Sequence, residues 1–315
     1  MTYKTIFSGR LEFGNNRSFD QVRKMFEHRK EQYYRSDIAL DGEDIFDEDN
    51  HLLDIPRFIT QTSEKTWRNT INLLQTLAQF AIAGDLNAWM TDEGTLMHTV
   101  IIEPKGDKTA IQHFLRGREL IKEEGMEQEA RESLSRAIDK FERHALAYER
   151  RGFVNYKLGN FKDALYDYNK SIDINPRKAN PYFGKAVILK TQKEYEQAIT
   201  QFEQVTKTAM PLESLHWIAR RMKGECLQQL GDHDAAAKEF RFFINRNFGK
   251  DDPNYSRRRQ VHFLYAKTLL EMGRKAEALQ NLEKATSTAI GREHASEQEI
   301  KAFREAHFEQ MAEQV

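Results

Sequence analysis

The sequence predicts an α+β domain at residues 1–108, an all-α array of helix pairs at 109–291 and a terminal helix at 292–315. Polar and apolar residues alternate from Tyr3 to Phe13, which is the period of a half-buried strand. In the array, small residues, glycine turns and aromatic residues recur at a fixed spacing, which indicates repeated helix pairs. A chain of 315 residues has room for about two domains.

The composition is typical of a globular protein rich in solvated helix. Hydrophobic residues make up 39% and charged residues 31%, which is enough apolar material for a core. The formal net charge of −1 gives no overall basic field that would attract nucleic acid. Cys226 is the only cysteine, so an intrachain disulfide is excluded, and no apolar run is long enough for a signal peptide or a membrane span. We therefore expect a cytoplasmic protein.

The first 108 residues are expected to form a ferredoxin-like sandwich, with one antiparallel sheet covered by helices on one face. Ser18 is expected to cap the first helix, and residues 57–62 are expected to form the second strand. Apolar residues at helical spacing from Trp67 to Ala81 predict a second helix, and residues 91–94 predict a hairpin turn. The predicted order of elements is β-α-β-α-β-β.

An acidic segment, residues 41–54, lies between the first predicted helix and the second predicted strand. Its spacing does not match the ligand positions of an EF-hand calcium loop. We interpret it as a solvated loop or as a contact for a basic surface.

One window carries the repeat most clearly: residues 145–178 read ALAYERRGFVNYKLGNFKDALYDYNKSIDINPRK. Small residues stand at Gly152 and Ala164, where two antiparallel helices would cross at close range. Gly159 supplies the turn between them, and Pro176 ends the second helix. The aromatic residues that would fill the space between helix pairs are Tyr148, Phe161 and Tyr168. This window resembles the tetratricopeptide repeat (TPR), whose period is 34 residues.

The resemblance implies a superhelix of helix–turn–helix units that binds another protein or peptide. We expect five repeats, at residues 111–144, 145–178, 179–212, 213–250 and 256–290. Ser296 and Glu299 form a capping box at the start of a last helix that runs through Met311, and this helix is expected to cap the array.

In TPR proteins a partner lies in a concave groove lined by fixed positions of each first helix. The resemblance maps these positions onto Leu115, Glu119, Glu149, Phe153, Tyr156, Asn180, Phe183, Val187, Arg221 and Phe263. The aromatic and apolar members of this set suit an extended or helical segment of a partner. The alternative is that some of them pack against the N-terminal domain or the C-terminal helix.

The sequence contains no Walker loop, nucleophile elbow or paired-histidine zinc motif, so we predict a non-catalytic scaffold without cofactor or metal. Cys226 falls inside a repeat helix and is interpreted as a buried apolar residue. TPR domains that bind acidic chaperone tails use a clamp of lysine, asparagine and arginine. At its first two positions this chain has Leu115 and Glu119, so we expect no chaperone-tail partner.

Two other functions stay open at this point. The protein could be a regulatory enzyme or an immunity-like factor whose N-terminal domain carries the activity while the repeats select the target. It could also bind nucleic acid through Arg257–Arg259 together with Arg220 and Arg221, although a charged loop beside a helix is the commoner meaning of such a run.

Overall fold

The computed structural model describes residues 1–105, 108–288 and 295–309. The chain divides into two compact units, Met1–Arg177 and Lys178–Val315. The first unit therefore contains the N-terminal sheet together with the first helix pairs of the array. The domain boundaries expected from the sequence stay predictions.

The N-terminal region is built on one sheet of five antiparallel strands. The strands are β1 (Tyr3–Glu12), β2 (Phe46–Asp47), β3 (Leu52–Thr62), β4 (Ala83–Asp92) and β5 (Thr95–Ile102). Their order across the sheet is β2-β3-β1-β4-β5, so β1 pairs with both β3 and β4. The predicted single antiparallel sheet with helices is confirmed, and the two-residue β2 is an addition to it.

Three helices accompany the sheet: α1 (Asn16–His28), the four-residue α2 (Gly42–Ile45) and α3 (Glu64–Ala78). The chain continues from α1 into a π-helical turn, Arg29–Tyr33. Phe19 and Phe26 on α1 are fully buried against the sheet, as is Leu74 on α3. Burial of such side chains stabilises the fold by roughly 1.5–3 kcal/mol each, so this core is the main source of stability for the domain.

Two local details bear on the predicted ends of elements. The hairpin between β4 and β5 turns at Glu93 and Gly94, both with positive φ, as the sequence predicts. The cap of α1 is Asn15 and not Ser18, because the Asn15 side chain accepts a hydrogen bond from the Ser18 backbone N–H at 2.9 Å. The expected cap was therefore wrong by three residues. Asparagine and serine are both favourable N-cap residues, so residue type alone did not decide between the two positions.

The array consists of consecutive helix pairs. The pairs are α4 (Thr109–Leu120) with α5 (Glu127–Lys140), α6 (Ala145–Lys157) with α7 (Phe161–Ile174), α8 (Ala179–Thr191) with α9 (Tyr195–Thr208), α10 (Ser214–Gln229) with α11 (His233–Ile244), and α12 (Arg258–Glu271) with α13 (Lys275–Ser287). The prediction of helix pairs beyond residue 110 is confirmed.

Small residues allow the two helices of a pair to approach closely. A Cβ added at Gly152 would lie 2.9 Å from a ring carbon of Tyr168, and one added at Gly224 would lie 2.7 Å from a ring carbon of Phe240. Both distances are shorter than van der Waals contact, so each glycine makes room for an aromatic ring from the facing helix. The turn of the second pair uses Gly159 at φ +77°, a conformation that favours glycine.

The first helix pair contains one extra residue relative to the predicted register. Gly117 faces Leu134, whose Cγ would lie 2.6 Å from an added Cβ, so Gly117 stands at the helix crossing. The separation from Gly117 to the turn at Gly125 is one residue longer than that from Gly152 to Gly159. Residues of α4 are therefore displaced by one position from those inferred by counting back one period.

Polar contacts join the sheet to the helix pairs of the first unit. The Arg10 guanidinium donates to the Ile174 carbonyl oxygen at 2.8 Å and faces the Asp54 carboxylate at 3.4 Å. The Arg143 guanidinium lies 3.6 Å from the buried Glu12 carboxylate. The sheet thus covers the start of the array, where a repeat protein otherwise needs a capping repeat.

The second unit ends in α14 (Glu297–Arg304), followed by a π-helical turn, Glu305–Glu309. The predicted capping box is present, because Ser296 and Glu299 each bind the other's backbone N–H. The fully buried Arg259 of α12 donates to the Ala295 carbonyl oxygen at 3.0 Å and so fixes the entry to α14. Met311, expected in this helix, lies outside the described residues.

Candidate partner-binding surface

The predicted groove residues all lie on the first helices of the pairs. The first unit holds Leu115, Glu119, Glu149, Phe153 and Tyr156, and the second holds Asn180, Phe183, Val187, Arg221 and Phe263. Their surroundings separate residues that remain accessible from residues that are covered by other parts of the same unit.

Phe153 is the clearest accessible aromatic of the first unit, with 39% of its surface exposed on α6. Tyr156, one turn away, is half-buried, and its ring lies 5.9 Å from the Phe161 ring. Glu149 is buried and lies 3.8 Å from the Arg150 guanidinium. The surface of α6 therefore presents a ring beside a neutralised charge pair, which suits an apolar side chain of a partner.

The two α4 residues have other surroundings. Leu115 lines a small cavity together with Ile82, Gly84 and Phe114, and so faces the N-terminal sheet domain. The Glu119 carboxylate is exposed and accepts from the Lys122 ammonium at 2.8 Å. The one-residue shift of α4 explains why Leu115 packs inward.

In the second unit, the accessible surface is centred on α8. Asn180 is exposed, while Phe183 and Val187 are half-buried. The Phe183 ring lies 6.1 Å from the fully buried Phe202 ring, so one side of it is held by packing and the other is open. A ring held in this way loses little side-chain entropy when a partner binds.

Arg221 belongs to a charge network. Its guanidinium and the Lys190 ammonium both contact the Glu225 carboxylate. This network lies on the first helices α8 and α10, and it leaves less free positive charge at Arg221 than the sequence suggests. A partner carboxylate would have to compete with Glu225 for these cations.

Phe263 is covered by the C-terminal helix. Only 3% of its surface is exposed, and the Phe303 ring of α14 packs on it at 5.5 Å in an edge-on geometry. The Lys267 ammonium lies over the same ring at 4.3 Å. Phe263 thus follows the alternative in which a groove position packs against the C-terminal helix.

Comparison with known proteins agrees with this geometry. Residues 145–178, 183–244 and 260–289 each match a family profile described as tetratricopeptide repeat. These stretches of the chain are tetratricopeptide repeats. The TPR repeat-containing protein MJ1428 of Methanocaldococcus jannaschii is 34% identical over 79 residues, which are 25% of this chain and 14% of that protein. This chain therefore spans about a seventh of the curated relative that it matches.

Two solved structures resemble parts of this chain at low sequence identity. PilF of Pseudomonas aeruginosa matches with a TM-score of 0.51 and 17% identity, over 65% of this chain and 87% of that chain. MamA of Desulfovibrio magneticus RS-1 gives a TM-score of 0.48 and 15% identity, over 58% of this chain and 96% of that chain.

The TPR helices also carry a polar cluster that sequence reasoning missed. Arg151 on α6 makes a two-pronged ion pair with the buried Asp167 on α7, at 2.7 and 3.0 Å, and Asn155 donates to the same carboxylate at 2.9 Å. These residues line an open cavity of about 610 Å³ between helices of the first unit. Lys223 and Glu239 repeat the pairing in the second unit at 3.2 Å. The shared spacing of 16 residues between cation and carboxylate was the signal available in the sequence.

The features that suggested other functions have structural partners. Arg220 pairs with Glu239 at 2.6 Å, and Arg258 donates to the Ile244 carbonyl oxygen at 3.4 Å, so the arginines proposed for nucleic acid already contact protein groups. Cys226 is fully buried, and burial raises the pKa of its thiol to about 11, which keeps it protonated near neutral pH.

The acidic segment is likewise engaged at several points. Asp41 pairs with Lys30 at 2.7 Å, and Glu48 pairs with Arg23 at 2.5 Å. Among the described residues, no group of three or more histidine, cysteine and acidic side chains is arranged to hold a metal ion. In residues 1–105, 108–288 and 295–309, no helix has both the length and the apolar content needed to cross a membrane.

Proposed function

We propose that this TPR protein is a non-catalytic scaffold that binds a segment of another protein through the first helices of its repeats. The observation that carries the proposal is the exposure of Phe153 on a first helix, whereas Phe263, another of the predicted groove residues, is covered by α14. Large exposed aromatic side chains on a rigid helix are the side chains that dominate binding energy at protein interfaces.

The surface around Phe153 favours an apolar partner segment over a highly charged one. The Lys157 ammonium pairs with the Glu127 carboxylate at 2.6 Å, and Glu149 is close to Arg150. Because each charge beside the ring has an opposite partner, a partner gains more from burying an aromatic or aliphatic side chain than from supplying a charge. We place this binding in the cytoplasm, as the sequence suggests.

Replacing both Phe153 and Phe183 with alanine is expected to abolish partner capture. Each change removes a ring from an accessible first-helix surface, and truncation of such an anchor typically costs about 2 kcal/mol or more of binding free energy. The measurement is affinity purification from the native host, with quantification of the proteins that co-purify with wild type and variant.

Two aromatics on second helices provide matched controls. Tyr166 on α7 is 55% exposed, and Phe242 on α11 is also exposed. The double variant Tyr166→Ala with Phe242→Ala should retain the captured proteins. If both double variants are folded by circular dichroism and lose the co-purified proteins equally, the first helices are not the binding surface.

The second hypothesis places an activity in the N-terminal α/β domain. It makes a different prediction, because an enzyme would retain turnover when Phe153 and Phe183 are replaced. No observation on the described residues favours it over the scaffold.

A further inference from the structure

The two edges of the N-terminal sheet differ in chemistry. At one edge, β2 covers only Leu52 and Leu53 of β3, so the rest of β3 is an edge strand. That stretch carries Pro56 and Arg57, residues of the kinds that natural proteins place on edges to prevent strand pairing. The sheet is therefore protected on this side.

The opposite edge is β5, which pairs only with β4 among the described strands. Its sequence, TLMHTVII, contains no proline and no lysine, arginine, aspartate or glutamate. Leu96, Met97 and Ile101 are exposed on it, and Ile101 is 63% exposed. An uncharged, apolar edge strand with a free row of backbone groups is a template for another strand.

We propose that β5 pairs antiparallel with β5 of a second copy of this chain, joining the two sheets into one. The strand has no charge that would select a foreign strand of opposite charge, whereas a second copy presents the same uncharged surface. A two-fold axis also satisfies both β5 edges at once, and the β3 edges that remain are the protected ones.

The register of β5 supports such an axis. Its pairing with β4 is regular from His98 to Ile102 and shifts only near Leu96. A two-fold axis through Val100 sets Ile101 of each copy opposite Thr99 of the other, on the sheet face away from α1 and α3. Pairs of β-branched residues directly opposite each other stabilise antiparallel strands.

The consequence for the molecule is bivalency. A dimer joined at β5 carries two complete TPR arrays, so a partner with two binding segments, or an oligomeric partner, is held more tightly than by one chain. The dimer itself rests on the sheet edge alone and stands independently of which protein the repeats bind.

The test is sedimentation velocity of the full chain across micromolar concentrations. Wild type should sediment as a dimer, and Ile101→Lys should raise the dimer dissociation constant at least ~10-fold, because lysine on an edge disfavours pairing. Thr99→Lys is a second variant at an exposed site of the same strand. Ile59→Lys, 51% exposed on the protected edge strand β3, is the control and should leave the constant unchanged.

Hydrogen exchange reports on the same strand. The backbone amides of residues 98–102 should exchange more slowly in the wild-type dimer than in Ile101→Lys. A wild-type chain that is monomeric at every concentration overturns the proposal, and so does a dimer that withstands both β5 changes. Circular dichroism establishes that each variant is folded, and if Ile101→Lys unfolds, Thr99→Lys decides the outcome.

Discussion

Replacing Gly224 with valine is expected to lower the free energy of unfolding by about 3 kcal/mol. The first added carbon would lie 2.7 Å from a ring carbon of Phe240, which is fully buried and cannot move aside without displacing α11. Forcing extra carbon atoms into a packed interior typically costs about 1–3 kcal/mol, and this site combines a rigid ring with two closely crossing helices. Urea-induced unfolding, followed by circular dichroism, measures the loss.

The control for this prediction is another glycine of the same helix pair. Gly231 lies in the turn at φ +77°, with nothing within 4 Å of an added Cβ, so Gly231→Ala should cost only about 1–2 kcal/mol through backbone strain. If Gly224→Val were no more destabilising than Gly231→Ala, the helices would not cross as closely as described.

Lowering the pH from 6.5 to about 4 is expected to remove on the order of 3 kcal/mol of stability through His144 alone. Burial lowers the pKa of this histidine from 6.5 to about 4, and only 1% of its surface is exposed. As the pH falls, the unfolded chain takes up the proton first, so the equilibrium shifts toward unfolding across this window. A shift of one pKa unit corresponds to about 1.4 kcal/mol.

The geometry around His144 explains why its charged form is disfavoured. Its Nδ1 accepts a hydrogen bond from the Ala147 backbone N–H at 3.3 Å, capping α6, and protonation would remove this acceptor. Its ring lies 4.7 Å from the Phe114 ring, and its Nε2 has no hydrogen-bond partner among the described residues.

The matched variant is His144→Asn, because asparagine keeps a cap acceptor and has no proton to gain. The unfolding free energy of the wild type minus that of the variant should fall by on the order of 3 kcal/mol as the pH is lowered from 6.5 to 4. Burial also lowers the pKa of His262, but that residue is present in both proteins, so its contribution cancels in the difference. A difference that stays constant with pH would contradict the assigned role of His144.

The helix pairs could be predicted from the sequence because their packing is encoded at fixed intervals. Gly152 faces Tyr168 and Gly224 faces Phe240, the same separation in both cases. A small residue opposite a ring is a local requirement of two crossing helices, so it recurs in the sequence wherever the crossing recurs. The alternation of β1 and the turn at Gly94 were predictable for the same reason, since each depends on neighbouring residues only.

The accessibility of the groove residues could not be predicted in this way. Leu115 is half-buried and borders a cavity with residues of the sheet domain, and Phe263 is covered by Phe303, about 40 residues later in the chain. Such burial depends on elements that are distant in sequence, and the repeat pattern carries no information about them. The extra residue after Gly117 also escaped detection, because a fixed period was assumed where the turn is longer.

The start of β3 was missed for a different reason. The strand begins at Leu52, inside the segment that reads as an acidic loop, and only Arg57–Thr62 was expected as strand. Asp54 interrupts the apolar pattern because its carboxylate meets the Arg10 guanidinium at the sheet surface. A charge that is paired across strands looks, in the sequence alone, like a charge in solvent.

The most direct measurement of the scaffold proposal is photo-crosslinking from single cysteines on opposite helices of one repeat. Lys157→Cys, which leaves the Phe153 ring in place, and Tyr166→Cys would each carry a thiol-linked photoreactive probe, while the buried Cys226 stays unlabelled in the folded chain. In lysate of the native host, we expect a protein to be trapped covalently from position 157 on α6 and not from position 166 on α7. Equal trapping from both positions, or trapping from α7 alone, would contradict a partner bound along the first helices.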